Sequence, residues 1–123
     1  MECYSNKPKI KEMIGKVFAS VKSDEGAVYF KQEDGTGYVF HHHQECYEGV
    51  GVDDIAGDLE DLEGSPLTQA EEAQNDPPEV QRSLGGSETW TFYKFATVKG
   101  YVTVRFYGES NGYYSESVEL CRL

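Results

Sequence analysis

The run Glu88-Thr89-Trp90-Thr91-Phe92-Tyr93-Lys94-Phe95-Ala96-Thr97-Val98, followed by Lys99-Gly100 and then Tyr101-Val102-Thr103-Val104-Arg105-Phe106-Tyr107, decides the fold class. Thr and aromatic side chains, which fit a pleated and half-buried surface, fill the first part. The second part alternates and sets Val102, Val104 and Phe106 on one face. A tight turn at Lys99-Gly100 makes the two an antiparallel hairpin. Downstream, Asn111-Gly112 supplies another turn and Tyr113 to Cys121 alternates again. Val118 and Leu120 are therefore expected to meet the Val102 face across a second hairpin.

The same period of two recurs near the start. Val17, Ala19 and Val21 alternate from Lys16 onward, and strands at Ala27–Gln32 and Tyr38–His43 follow short Gly-containing separators. Before them, Ser5 or Asn6 as cap, Pro8, and the spacing of Ile10, Met13 and Ile14 predict a short helix over about Lys9–Met13. After Val50 and Val52 the spacing of Ile55, Leu59 and Leu62 predicts a second helix over Asp54–Leu62, capped by Asp53 and ended by Gly64-Ser65-Pro66. A short strand around Pro66–Glu72 and a loop over Asn75–Gly86 complete the chain. The expected fold is mainly β, α+β at the margin: an antiparallel β-barrel or β-sandwich of two meanders with one or two short peripheral helices. It forms one domain, with a lead-in (1–15), a first meander (16–52), an acidic helix and loop (53–87) and a second meander (88–123).

Charge is distributed unevenly. Of 123 residues, 22 are acidic and 11 basic, a formal charge of -11. Residues 1–43 carry six of each sign, residues 44–88 thirteen acidic against Arg82 alone, and residues 89–123 three acidic and four basic. The middle segment thus holds the net charge, which disfavours direct binding to nucleic-acid phosphates. No apolar run approaches the roughly 20 residues of a membrane span, and the first residues lack the apolar core of a signal peptide, so a cytoplasmic location is expected. Three cysteines, an odd number, do not close a disulfide framework.

Three groups of residues are candidates for function. His41 and His43 share a face at the end of the third strand, and a turn brings Cys46 beside them, a mixed N/S set that zinc accepts. Its fourth ligand is open among Glu45, Glu48, Asp53, Cys3 and Cys121. The plain structural alternative makes the two histidines edge-strand residues and Cys46 a small buried side chain, and under it the protein has no cofactor. The second group is Asp54, Asp58 and Asp61, with Glu63 beside them. On a helix the three aspartates repeat about 4.5–6 Å apart along the axis, near the spacing of phosphates along a nucleic-acid strand, about 3.4 Å of rise per residue. They read as a mimic of nucleic acid aimed at a basic cleft, or as a solvated face that keeps the domain soluble. The third group is aromatic. One face of the 88–98 strand is expected to bury Trp90 and Phe92 while the other shows Tyr93 and Phe95, with Tyr93 and Tyr113 as partner contacts. Alternatively the sheet is covered on both sides, within the monomer or by a second copy in a homodimer. No phosphate-cradling Gly loop, nucleophile elbow or paired-Cys zinc motif is present, so the protein is expected not to be an enzyme.

From about Ile14 onward the chain resembles an uncharacterised family of short proteins encoded by bacteriophages and prophages. The resemblance lies in Ile14-Gly15-Lys16-Val17-Phe18, the His41 to Glu48 block, Val52-Asp53-Asp54-Ile55-Ala56-Gly57-Asp58-Leu59, and the stretch Glu88 to Glu119 with Trp90-Thr91-Phe92-Tyr93-Lys94 and Tyr107-Gly108-Glu109-Ser110-Asn111-Gly112-Tyr113-Tyr114-Ser115. That family often has two adjacent Cys where this chain has Cys46-Tyr47, which argues against a need for such a pair in metal or redox chemistry. The resemblance implies a context and no activity: small phage proteins of this kind act on host machinery or host defence, including as stoichiometric inhibitors. The combined expectation is a non-enzymatic accessory protein that binds and inhibits a host protein, itself a nucleic-acid binder if the mimicry holds. It contacts neither membrane nor nucleic acid directly. The alternative is a small-molecule or metal-binding sponge built on the His41–Cys46 block.

Overall fold

The computed structural model describes residues 8–42, 48–75, 87–110 and 118–123. Among the described residues eight strands run in chain order: β1 (Ser20–Ser23), β2 (Ala27–Lys31), β3 (Gly37–His41), β4 (Glu48–Ala56), β5 (Gln69–Asn75), β6 (Ser87–Thr97), β7 (Gly100–Ser110) and β8 (Glu119–Arg122). They form two antiparallel four-stranded sheets, ordered β1-β2-β3-β8 and β4-β7-β6-β5. The β6–β7 hairpin is the longest pairing. Thr97 opposes Gly100 across a two-residue turn, and the register carries Phe95 onto Val102, Tyr93 onto Val104 and Thr91 onto Phe106.

The two sheets pack face to face as a sandwich, and aromatic rings join them. Phe30 of β2 lies 4.8 Å from Phe95 and Phe40 of β3 lies 4.5 Å from Tyr93, centroid to centroid. Phe18, Phe30, Phe40, Phe95, Phe106 and Leu62 are all fully buried, and each such side chain contributes about 1.5–3 kcal/mol. Sheet β1-β2-β3-β8 is also covered on its other face, where Ala27, Val39 and Cys121 form a small buried cluster against Tyr29.

Five features differ from the sequence-based expectation. The helix predicted over Asp54–Leu62 is absent: Asp54 to Ala56 finish β4, and only a single 3₁₀ turn, Leu59–Leu62, follows. A bulge explains the misleading spacing. Val50 and Val52 face the core, Asp53 is the extra residue between the Val52–Phe106 and Asp54–Arg105 pairs, and the inserted residue turns Ile55 inward opposite Val104. Gly57, at φ +109, then breaks the chain direction. The N-terminal helix is likewise one 3₁₀ turn, Ile10–Met13. The first strand starts at Ser20, Val17 and Phe18 making isolated bridges to Pro66 and Glu63. The strand expected near Pro66–Glu72 begins instead at Gln69.

The fifth difference is topological. β8 pairs with β3, setting Leu120 opposite Phe40, and not with β7. Leu120 and Val118 still pack on the main core, as their alternation required, but from the opposite sheet. The meander in the second sheet is therefore β5-β6-β7, with β4 added along β7.

Candidate functional site

Residues 48–75 contain nine carboxylates and no Lys or Arg. Their surroundings sort them. Asp53 is paired with Arg105, whose Nε and Nη2 both reach its Oδ2. Glu63 accepts the Val21 backbone N–H at 2.8 Å, and its own carbonyl accepts Lys99 Nζ at 2.7 Å. The Glu63 carboxylate, expected to face a partner, thus ties the 3₁₀ turn to β1. Glu72 accepts the Tyr93 hydroxyl. Asp54, Asp58 and Glu60 are exposed, Asp61 is half-buried, and none of these four carboxylates makes an ion pair among the described residues.

Three of the four, Asp58, Glu60 and Asp61, lie on or beside the 3₁₀ turn, close to the β6–β7 hairpin turn, while Asp54 lies on β4 opposite Arg105, halfway along β7. Leu59 and Leu62 anchor the 3₁₀ turn in the core, and the Thr97 hydroxyl donates to the Asp61 carbonyl, so the intervening acidic side chains project outward. Asp54 lies on β4, before the Gly57 break, and Asp58 after it. The evenly spaced helical row of Asp54, Asp58 and Asp61 is replaced by an irregular acidic edge.

The aromatic expectation is reversed in phase. Tyr93 and Phe95 are buried in the core, at 3% and 1% exposure, because the hairpin register sets them opposite Val104 and Val102. Trp90 and Phe92 take the outer face, half-buried. There Trp90 packs on Tyr107 at 5.1 Å, and Arg105 stands opposite Phe92. The Tyr93 hydroxyl donates to Glu72 Oε1 at 3.1 Å; burial, then the Glu72 charge, hold its ionisation well above the usual phenol range. Tyr113 lies outside the described residues.

His41 is not an edge-strand residue. β3 lies between β2 and β8, and His41 is 8% exposed. His43 and Cys46, its expected partners at a zinc ion, lie outside the described residues. The remote Cys121 is the one brought beside it: His41 Nε2 is 3.2 Å from Cys121 Sγ. Glu119 completes a three-residue group.

A family model matches residues 11–120 of the chain, nearly its whole length. The chain belongs to the DUF7448 family. That family is described as a domain of unknown function. The chain matches no curated protein and no solved structure. The DUF7448 match takes in both sheets up to Leu120, and with them His41, the acidic edge, Tyr93 and Glu119.

This DUF7448 domain also holds a cavity of about 450 Å³ between its sheets, lined by Lys9, Phe40, Glu72, Tyr93, Glu119 and Leu120 among others. With Lys9 its one cationic side chain, set against the Glu72 carboxylate, it offers little to a nucleotide, whose phosphates require cationic or backbone N–H donors. No helix of the described residues is long and apolar enough to cross a membrane. The Trp90–Tyr107 pair on the outer face and the placing of Glu119 opposite His41 escaped the sequence reading, which held Cys121 as one of five open choices for a fourth ligand. The first was legible in principle. Pairing Thr97 with Gly100 makes paired residue numbers sum to a constant and forces Tyr93 and Phe95 onto the Val102–Val104 face.

Proposed function

We propose that this DUF7448 domain is a non-enzymatic binding module that docks its acidic edge on a basic site of a protein partner. The observation that carries the reading is the set Asp54, Asp58, Glu60 and Asp61, four carboxylates along the end of β4 and the 3₁₀ turn that follows it, with no ion pair among the described residues. Charge left unneutralised on the free protein is available to steer and orient a cationic partner. The irregular spacing favours complementarity to clustered Lys and Arg over imitation of a regular phosphate backbone. Following the resemblance to short phage-encoded proteins, the partner belongs to a host cell, its defence apparatus included, and is met in the host cytoplasm, where binding inhibits it.

The test is a pull-down from host lysate with the wild type and with the Asp54→Lys, Asp58→Lys, Asp61→Lys triple variant, at low and high salt. The reading expects a partner that the wild type retains at low salt, loses at high salt, and that the triple variant does not capture while keeping a native circular dichroism spectrum. Duplex DNA that displaces the partner would identify its site as a nucleic-acid cleft. A partner captured equally by the triple variant and indifferent to salt would overturn the acidic edge as the docking surface.

A further inference from the structure

His41 of β3 stands directly opposite Glu119 of β8, and Cys121, two residues on, is opposite Val39. By the alternation of both strands the three side chains leave the sheet on the face away from Phe40 and Leu120. One imidazole nitrogen, one carboxylate oxygen and the Cys121 sulfur lie within 4.8 Å of one another. The nitrogen and sulfur, 3.2 Å apart, are near the roughly 3.5 Å expected of two ligands on one tetrahedral zinc, given Zn–N of about 2.0 Å and Zn–S of about 2.3 Å. Buried Ala27 and Val39 wall the group, and the ladder between β3 and β8 fixes its backbone.

Cys121 is disulfide-bonded in this structure, and Cys3 and Cys46 lie outside the described residues. A disulfide sulfur does not serve zinc; a thiolate does. We infer that reduction of this disulfide converts the His41–Glu119–Cys121 group into a zinc site, so that metal binding here is gated by redox state. A thiol reductant of the glutathione or dithiol class supplies two electrons and two protons, yielding two cysteine thiols and its own disulfide. As the S–Zn bond forms, the Cys121 thiol releases its proton to solvent, while His41 binds through the lone pair of a neutral imidazole and Glu119 through its carboxylate. The sulfur and imidazole donors select zinc over magnesium or calcium. A reducing cytosol is the compartment that would hold the metal-binding form. The inference is independent of the acidic edge and needs no partner.

The test uses the full chain and Co²⁺ as a spectroscopic stand-in for zinc, with a phosphine reductant that offers no competing thiol. Reduced protein should bind one equivalent of Co²⁺ with a sulfur-to-cobalt charge-transfer band and tetrahedral visible bands, and zinc should displace the cobalt. Oxidised protein should show neither band. Cys121→Ser should abolish the charge-transfer band, and His41→Gln should weaken binding at least about tenfold. Glu119→Gln, at a half-buried position that leaves the disulfide and the core in place, should do the same with an unchanged circular dichroism spectrum. Reduced wild type that binds no Co²⁺ would overturn the inference. So would a charge-transfer band that survives in Cys121→Ser, or affinity unmoved by Glu119→Gln.

Discussion

Glu12 and Arg122, 110 residues apart, are joined by two hydrogen bonds from Arg122 Nη2 to the Glu12 carboxylate, at 2.9 and 3.1 Å. The same carboxylate accepts the hydroxyl of Tyr38 at 2.8 Å, so one side chain ties the 3₁₀ turn Ile10–Met13 to β3 and β8. Arg122 is about half exposed, and an exposed pair is worth about 0–1 kcal/mol. Tyr38 is buried, and a hydroxyl deprived of its acceptor costs about 1–3 kcal/mol. Glu12→Ala should therefore destabilise the domain clearly more than Arg122→Ala, as read by urea denaturation. Burial by itself would raise the Glu12 carboxyl, but the bonds from Tyr38 and Arg122 outweigh it and hold it low. Its contribution is present above the ordinary carboxylate value and is lost as pH falls through the lower folded one. Glu12→Gln should flatten that acid limb.

Tyr38 governs the alkaline side. Burial first, and the Glu12 carboxylate second, push its hydroxyl from 10.0 up to about 12. An unfolded chain ionises this phenol at the lower value, so the stabilisation it reflects is complete below the ordinary tyrosine range and is lost as pH rises through about 12. Spectrophotometric titration should show Tyr38 ionising late. Tyr38→Phe should remove that step and make stability less steep in alkali.

The turn that separates β4 from the acidic 3₁₀ segment depends on a missing side chain. A Cβ on Gly57 would fall 2.4 Å from the Tyr101 carbonyl oxygen, and φ is +109. Gly57→Ala should cost about 3 kcal/mol, from backbone strain and steric displacement together. Gly49→Ala, in the same strand with nothing within 4 Å of the new atom, should stay within about 0.5 kcal/mol of wild type. Thermal denaturation of the two variants side by side checks the contrast.

The phase of β6 is tested by a second pair. Phe95 is fully buried between Phe30 and Phe40, so Phe95→Ala should cost about 3–5 kcal/mol, a large share of the stability of a domain this size. Phe92→Ala, on the half-buried outer face, should cost less than half as much. Equal losses would show that the outer face is as enclosed as the core.

How far these features could be read from residues alone depends on what kind of information a pattern holds. The β1–β3 meander and the β6–β7 hairpin were legible because alternation and Gly-containing turns are local signals. The Ile55, Leu59, Leu62 stripe was misleading for a physical reason. A bulge at Asp53 shifts the strand's inward parity by one, and a 3₁₀ turn then presents Leu59 and Leu62 three residues apart, so two non-helical devices imitate a helical period. Val118 and Leu120 were assigned to the core correctly and to the wrong sheet, since a period of two encodes a face and not a neighbour. Aromatics at both parities of β6 gave its burial no phase of their own, and the phase came from the partner strand. At the candidate sites, the carboxylates were visible as composition, whereas the meeting of His41 with Cys121 across 80 residues had no local trace.

The placement of β8 beside β3 also orders events in time. A ribosome makes β1 to β3 and then the whole of the second sheet before the strand that flanks β3 exists. The newborn Gly37–His41 segment, whose residues all end up buried, waits with one row of peptide groups unpaired through the synthesis of nearly eighty further residues. Such an edge is a template for any passing extended chain. Its protection during that interval falls to the cell's chaperones, or to speed of translation, rather than to anything the finished sandwich displays.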